Sequence, residues 1–283
     1  MILFIFFNLN LNIKNLNKIK KMADNKKNNK NHHYLGLTHK KNTNRNTKNG
    51  FPDYEINFSN SGIADVTITL QPGQKIVADG GSMSFMSGNI GIETSAKNGF
   101  FSGLARAISG ESFFLNEFFV EDNRHGKITC ASVLPGDVKC FEIPAGEGMY
   151  LAPGSYICST PNTKVSAHRR LRGVFFGDGL ALTEVTATED KPALVWAGGF
   201  GGIKEIKVSN GRDLVVDNGM FFACNSGVDF EISKVGGLKS LFFSGEGIVM
   251  RFKGDQAKKV IVFTQSRSIG GFASMLKPMV SSK

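Results

Sequence analysis

LQPGQKIVADGGSMSFMSGNIGIET at 70–94 lines up without gaps with IPAGEGMYLAPGSYICSTPNTKVSA at 143–167 and with VSNGRDLVVDNGMFFACNSGVDFEI at 208–232. In each copy a turn glycine is followed eight residues later by a second: Gly73 and Gly81, Gly146 and Gly154, Gly211 and Gly219. Between them, Ile76 and Ala78 match Met149 and Leu151, then Leu214 and Val216; beyond the second glycine stand Met83, Tyr156 and Phe221. A spacing of two places these side chains on one face of a strand. The triplets Ser87-Gly88-Asn89, Thr160-Pro161-Asn162 and Asn225-Ser226-Gly227 supply the next turns, after which Ile92, Val165 and Phe230 hold equal places. Turn chemistry between alternating strands predicts hairpins, so each copy is expected to be a small antiparallel meander. The second glycine of each copy is expected to have a positive φ or a closely packed backbone.

A second signature follows each copy: Ser109-Gly110-Glu111-Ser112, Phe176-Gly177-Asp178-Gly179 and Ser244-Gly245-Glu246-Gly247. Each leads into alternating apolar residues, Phe113 and Leu115, Leu180 and Leu182, Ile248 and Met250. Gly110, Gly177 and Gly245 recur at intervals of 67 and 68 residues, so two separate signatures share one period. A lone meander cannot bury its apolar face, and three must pack on one another. The expected architecture is all-β: three pseudo-threefold-related, β-sandwich-like repeats at about 54–121, 127–188 and 192–254, with a C-terminal tail at 255–283. Helix is expected only near Phe100 to Ile108 and from Gly271 to Lys277.

From about residue 54 to the end, three motifs resemble the family related to altered inheritance of mitochondria protein 24. They are Pro72 to Met83, the SGEG run Ser244 to Gly247, and the closing Gln265-Ser266-Arg267-Ser268. The resemblance implies a fold likened to the tryptophan RNA-binding attenuator protein (TRAP), three sandwich-like repeats and no established catalytic role. Mitochondrial members have been linked to inner-membrane organisation, whereas this chain resembles the bacterial-type branch. The likeness to the attenuator protein concerns fold only and transfers no tryptophan-binding or RNA-binding residues.

The chain has 283 residues, 41% of them hydrophobic, enough for a large core without disulfides or metal. Its net charge of +10 suggests a polyanionic partner until the charge is located. Residues 1–50 hold eleven of the 34 basic side chains and one acid, Asp24, which leaves 51–283 with as many acids as bases. Cys130, Cys140, Cys158 and Cys224 show no zinc-site spacing and read as packed, reduced thiols. Residues 1–50 form an Asn/Lys-rich segment expected to be disordered or to serve targeting. Its apolar run Ile2 to Phe7 is too short to span a bilayer, so no transmembrane segment is expected. The first 21 residues permit either a transit peptide or an upstream extension before a start at Met22. The expected location is cytoplasmic, with mitochondrial as the alternative.

Hydrolytic triads and metal centres rely on histidine, and the body has only His125 and His168. The chain is therefore read as non-enzymatic, with no cofactor. Glu111, Asp178 and Glu246 occupy equivalent turns: they either converge on a cation or accept hydrogen bonds from their own turn backbones; no resident metal is assigned, and small-molecule or metal binding at these turns is a further alternative reading. Gly198-Gly199-Phe200-Gly201-Gly202 lacks the Lys-Ser/Thr of a phosphate loop and reads as a strand connection. His168, Arg169, Arg170 and Arg172 are the one concentrated basic stretch of the body, with Phe175 and Phe176 beside it. They make polyanion binding the second reading, with nucleic acid not the favoured partner. Phe100, Phe101, Leu104 and Ile108 lie in a first-copy insertion, read as a self-association contact, with peripheral membrane contact as the alternative. The leading expectation is a self-associating scaffold or binding protein, a homo-oligomer.

Overall fold

The computed structural model describes residues 41–44, 50–59, 62–94, 115–169, 181–188, 190–234, 248–255 and 259–280. All belong to one compact body, His39–Lys283; the segment Met1–Thr38 and the rest of the Asn/Lys-rich tail, apart from 41–44 and Gly50, lie outside the described residues.

The body is all-β. Two strands, β1 (Lys41–Asn44) and β2 (Asp53–Phe58), precede three sets of six. The first set is β3 (Ala64–Leu70), β4 (Lys75–Asp79), β5 (Met83–Met86), β6 (Ile90–Thr94), β7 (Leu115–Val120) and β8 (Gly126–Ala131). The second is β9 (Val138–Ile143), β10 (Gly148–Leu151), β11 (Tyr156–Ser159), β12 (Thr163–Arg169), β13 (Ala181–Ala187) and β14 (Ala193–Gly198). The third is β15 (Ile203–Val208), β16 (Asp213–Asp217), β17 (Phe221–Asn225), β18 (Phe230–Lys234), β19 (Ile248–Lys253) and β20 (Val260–Gln265), after which comes helix α1 (Ile269–Val280).

One antiparallel pairing scheme recurs in all three sets. The first and third strands pair with the sixth, and the second and fourth pair with the fifth. Between sets, the second strand of one pairs with the third of the next, β4 with β11 and β10 with β17. This gives two six-stranded sheets, β6-β7-β4-β11-β14-β9 and β12-β13-β10-β17-β20-β15, flanked by β1-β2-β3-β8-β5 and β16-β19-β18.

The meander expected from sequence is thereby corrected. At each glycine-bearing corner the chain leaves one sheet and enters another, so β4 and β5, or β10 and β11, are neighbours in sequence but not in a sheet. The residues at those corners specify that the chain reverses; they do not specify which edge the next strand finds. Gly73, Gly81, Gly146, Gly154 and Gly211 have φ between 69° and 94°. Gly219 differs: it lies in a 3-10 turn, Asn218–Met220, donates its N–H to Asp217 Oδ1 at 2.8 Å, and has Ser268 Oγ 2.6 Å from where a Cβ would sit. Gly110, Gly177 and Gly245 lie outside the described residues.

Three cores lie between the sheets. The first joins β2, β3, β4 and β8 to Ile157, Cys158, Leu194 and Trp196 of the second set. The second joins Met149, Leu151, Val165 and Val185 to Phe222, Ala223 and Phe263 of the third. The third gathers Val216, Met250 and Phe252 with Tyr150, Phe221 and Val262. Strands in the six-stranded sheets serve two cores at once, which explains why β14, ALVWAG, is buried at every residue while β3, ADVTITL, alternates. Leu194 and Trp196 enter the first core and Ala193, Val195 and Ala197 the second.

The connections between sets are stacked. Gly201 N–H donates to Pro135 O at 2.9 Å, Asp137 N–H to Gly201 O at 2.9 Å, and Ser266 N–H to Gly202 O at 3.0 Å. Gln265 ties this stack to the last corner, its Oε1 accepting from Phe200 N–H at 2.9 Å and its Nε2 donating to Gly219 O at 3.1 Å. Gly198 to Gly202 is the strand connection expected. Helix α1 begins two residues before Gly271 and runs past Lys277; Ser268 starts it by accepting Gly271 N–H on its hydroxyl at 3.1 Å.

Candidate functional site

Every second strand of a set offers an edge to the third strand of the next set, and among the described residues one of each lacks that neighbour. These are β16, last of the second strands, and β5, first of the third strands; each ends its sheet. Their counterparts show what such edges ordinarily hold. β11 and β17 are buried at Tyr156 to Ser159 and Phe221 to Cys224, whereas Met83, Ser84 and Phe85 of β5 are exposed, Phe85 by 61%. Tyr150 of β10 is 7% exposed and its counterpart Val215 of β16 is 47% exposed. β5 carries neither charge nor proline, the usual means of blunting an exposed edge.

The two existing junctions use one register. In the first, Ala78 faces Cys158 and Val77 faces Ser159; in the second, Leu151 faces Ala223 and Tyr150 faces Cys224. Counting from the corner glycines, these are the same two pairs of positions. The inward residues of each junction share a core: Ala78 with Cys158 in the first, Leu151 with Ala223 in the second.

The site residues marked in the sequence are distributed differently. Glu111, Asp178, Glu246, Arg170 and Arg172 lie outside the described residues, as do Phe100, Phe101, Leu104 and Ile108. Arg169 ends β12, where its backbone faces Ala181, and His168 faces Leu182. His125 lies in the β7–β8 turn, its carbonyl accepting from Asn89 Nδ2 at 3.4 Å. Two described acids serve the backbone: Asp137 Oδ2 accepts from Ile203 N–H at 2.9 Å, and Asp217 from Gly219. Asp122 accepts from Asn89 Nδ2 at 2.9 Å and from Arg124 N–H and Nε at 3.0 and 2.9 Å, which holds its carboxyl down at about 2.

Among the described residues, no group of three or more His, Cys, Asp or Glu could hold a metal ion, and no helix is long and apolar enough to cross a membrane. A cleft of about 320 Å³ lies between the β17–β18 turn and the end of β19, lined by Asp229, Lys253 and Asp255. The Lys253 ammonium there is committed to Glu231 at 2.6 Å. On α1, Phe272 packs edge-on against Phe200 with ring centres 5.5 Å apart, while Met275 is exposed.

Comparison with known proteins bears on this arrangement. The model of the family described as mitochondrial biogenesis AIM24 matches residues 56–267, from β2 to the segment that stacks on the last connection. The chain belongs to the AIM24 family. An uncharacterised protein of Streptococcus pyogenes serotype M6 is 28% identical over 221 residues, covering 75% of this chain and 85% of that protein. A Streptococcus pyogenes protein of known crystal structure superposes with a TM-score of 0.62 at 22% identity, over 85% of this chain and 99% of the other. At that identity the likeness concerns fold alone. The AIM24 match thus extends over all three sets of strands, and it includes both β5 and β16.

The β5 and β16 edges are absent from the sequence reading. Met83, Tyr156 and Phe221 occupy equal places there, and nothing local distinguishes the copy whose strand lacks a neighbour. The uncharged MSFM of β5 was the available signal.

Proposed function

We propose that this AIM24-family protein is a non-enzymatic binding and assembly module that works as a self-associated form of its chain. The observation that carries the reading is the uncovered edge of β5, four uncharged residues including Met83 and Phe85, in a body that buries the matching strand in both other sets. Natural sheets rarely leave such an edge uncovered, because its unpaired N–H and C=O groups and apolar side chains are a template for another strand. The family description names a process, mitochondrial biogenesis, and no reaction, which suits a protein that acts through contacts. Asp122, Asp137, Asp217 and Gln265 are engaged in holding turns and connections.

The test is the molar mass of the full chain by light scattering across a wide concentration range. A mass above that of one chain, rising or constant with concentration, supports the reading. A mass of one chain at every concentration removes it.

A further inference from the structure

The reading above says that copies associate; the strand scheme says which edges meet. Resting on that reading, we infer that β16 of one copy pairs antiparallel with β5 of the next, continuing head to tail the junction the chain makes twice within itself.

The register follows from the two internal junctions. Val216 is the counterpart of Ala78 and Leu151, and Phe85 of Cys158 and Ala223, so Val216 faces Phe85. By the same count Val215 faces Met86. Each contact then completes a core. Cys158 and Ala223 enter the core of the preceding set, the first and second cores respectively; among the described residues no set precedes that of Phe85. Pairing puts it beside Val216, in the third core of the neighbouring copy, which among the described residues receives no strand from a following set. In return, Val215 lies against Met86, which packs on the first core. Thus Phe85 and Val215, two large apolar side chains that the isolated chain exposes, are covered by the junction.

Other sheet-end strands do not share this property. β6, β12 and β18 end their sheets in all three sets, so their open edges belong to the scheme itself, whereas β9 and β15 end theirs because β2, which pairs with their counterpart β3, stands before the first set. Among the described residues, β5 and β16 are the strands that lack the between-set neighbour their counterparts have. The contact joins two different surfaces, so it is heterologous: copies close into a ring or extend as a filament according to the rotation between them.

Because the edges differ, each can be blocked separately. In the full chain Phe85→Lys disables the β5 edge and Val215→Lys the β16 edge; both side chains are exposed in the single chain, so each variant should keep the wild-type circular dichroism spectrum and a cooperative melt. Each variant alone should have the mass of one chain. An equimolar mixture should have twice that mass and no more, since the intact β16 of one meets the intact β5 of the other and both outer ends are blocked. As a second measurement, Val215→Cys and Met86→Cys chains are mixed under mild oxidation. A covalent dimer should form in the mixture and from neither variant alone. If both Lys variants keep the wild-type mass, or their mixture stays at one chain, the inferred junction is overturned while self-association stands on some other surface. If a chain carrying both cysteines links only within itself, the two edges meet inside one copy and the inference is likewise overturned. A wild type that is one chain at all concentrations overturns both the junction and the proposed function.

Discussion

Replacing Gly136 with Ala should destabilise the body more than any surface change, because three backbone groups occupy the space a methyl needs. Gly136 and Gly201 form a parallel bridge between the β8–β9 and β14–β15 connections. A Cβ on Gly136 falls on Gly199 O, Gly201 N and Gly201 O, none of which can rotate away. The connections must therefore separate, and three backbone–backbone hydrogen bonds between them are put at risk: Asp137 N–H to Gly201 O, Gly199 N–H to Asp137 O and Gly201 N–H to Pro135 O, each 2.9 Å. At about 1 kcal/mol net for each bond the loss is about 3 kcal/mol. Overpacking adds roughly 1–3 kcal/mol. The sum, about 4–6 kcal/mol, is a large share of the ~5–15 kcal/mol that holds a domain together. For a body of this size it lowers the melting temperature by on the order of 10–20 °C. Thermal melts followed by circular dichroism read this directly, with Gly73→Ala as the control. Gly73 has φ +82° but open space around it, so only the left-handed backbone is strained, at about 1–2 kcal/mol. A Gly136→Ala protein that melts as close to wild type as the control would refute the stacking argument.

The acid limb of stability should contain a contribution from Asp122. Its carboxyl is held at about 2, first by Asn89 and then by Arg124, so the contribution is complete above its ordinary value near 4 and disappears as pH falls through about 2. Asp122→Asn should therefore be less stable than wild type at pH 5 and equal to it near pH 2; identical acid profiles for the two proteins would count against the turn network. The thiols should be protected in the native state. Burial pushes Cys140 up to about 12 and raises Cys158 beside Cys130, so a disulfide reagent at pH 8 should label the folded chain slowly and all four cysteines quickly in denaturant. Prompt labelling of Cys158 in folded protein would show that the first core is not closed.

Much of the body was legible before any coordinates. The paired glycines set the corners, and the alternation at Ile76 and Ala78, Met149 and Leu151, and Leu214 and Val216 identified core-facing positions. The first four of these are buried, as is Val216. The turn triplets at 87–89 and 160–162 separate β5 from β6 and β11 from β12 as expected. Ile92 shows where the argument loses force: it occupies the same place as the buried Val165, yet it is exposed. Its local pattern is the same, and only its surroundings differ.

The sequence by itself determined that the chain is all-β, where its strands turn and which face of most strands is apolar, because each of these is written in residues a few positions apart. It also determined the family, through motifs that lie within single corners or strands. Only the tertiary structure decided which sheet each strand joins. A period of two and a glycine corner are compatible with a hairpin and equally with a crossing to another sheet, and the choice is made by contacts across the junctions, such as Ala78 with Cys158, some eighty residues apart in the chain. The candidate site is of that second kind. Phe85 and Val215 are exposed through the place of their strands at the two ends of a scheme that repeats three times, and a place in a sheet is a property of the whole chain.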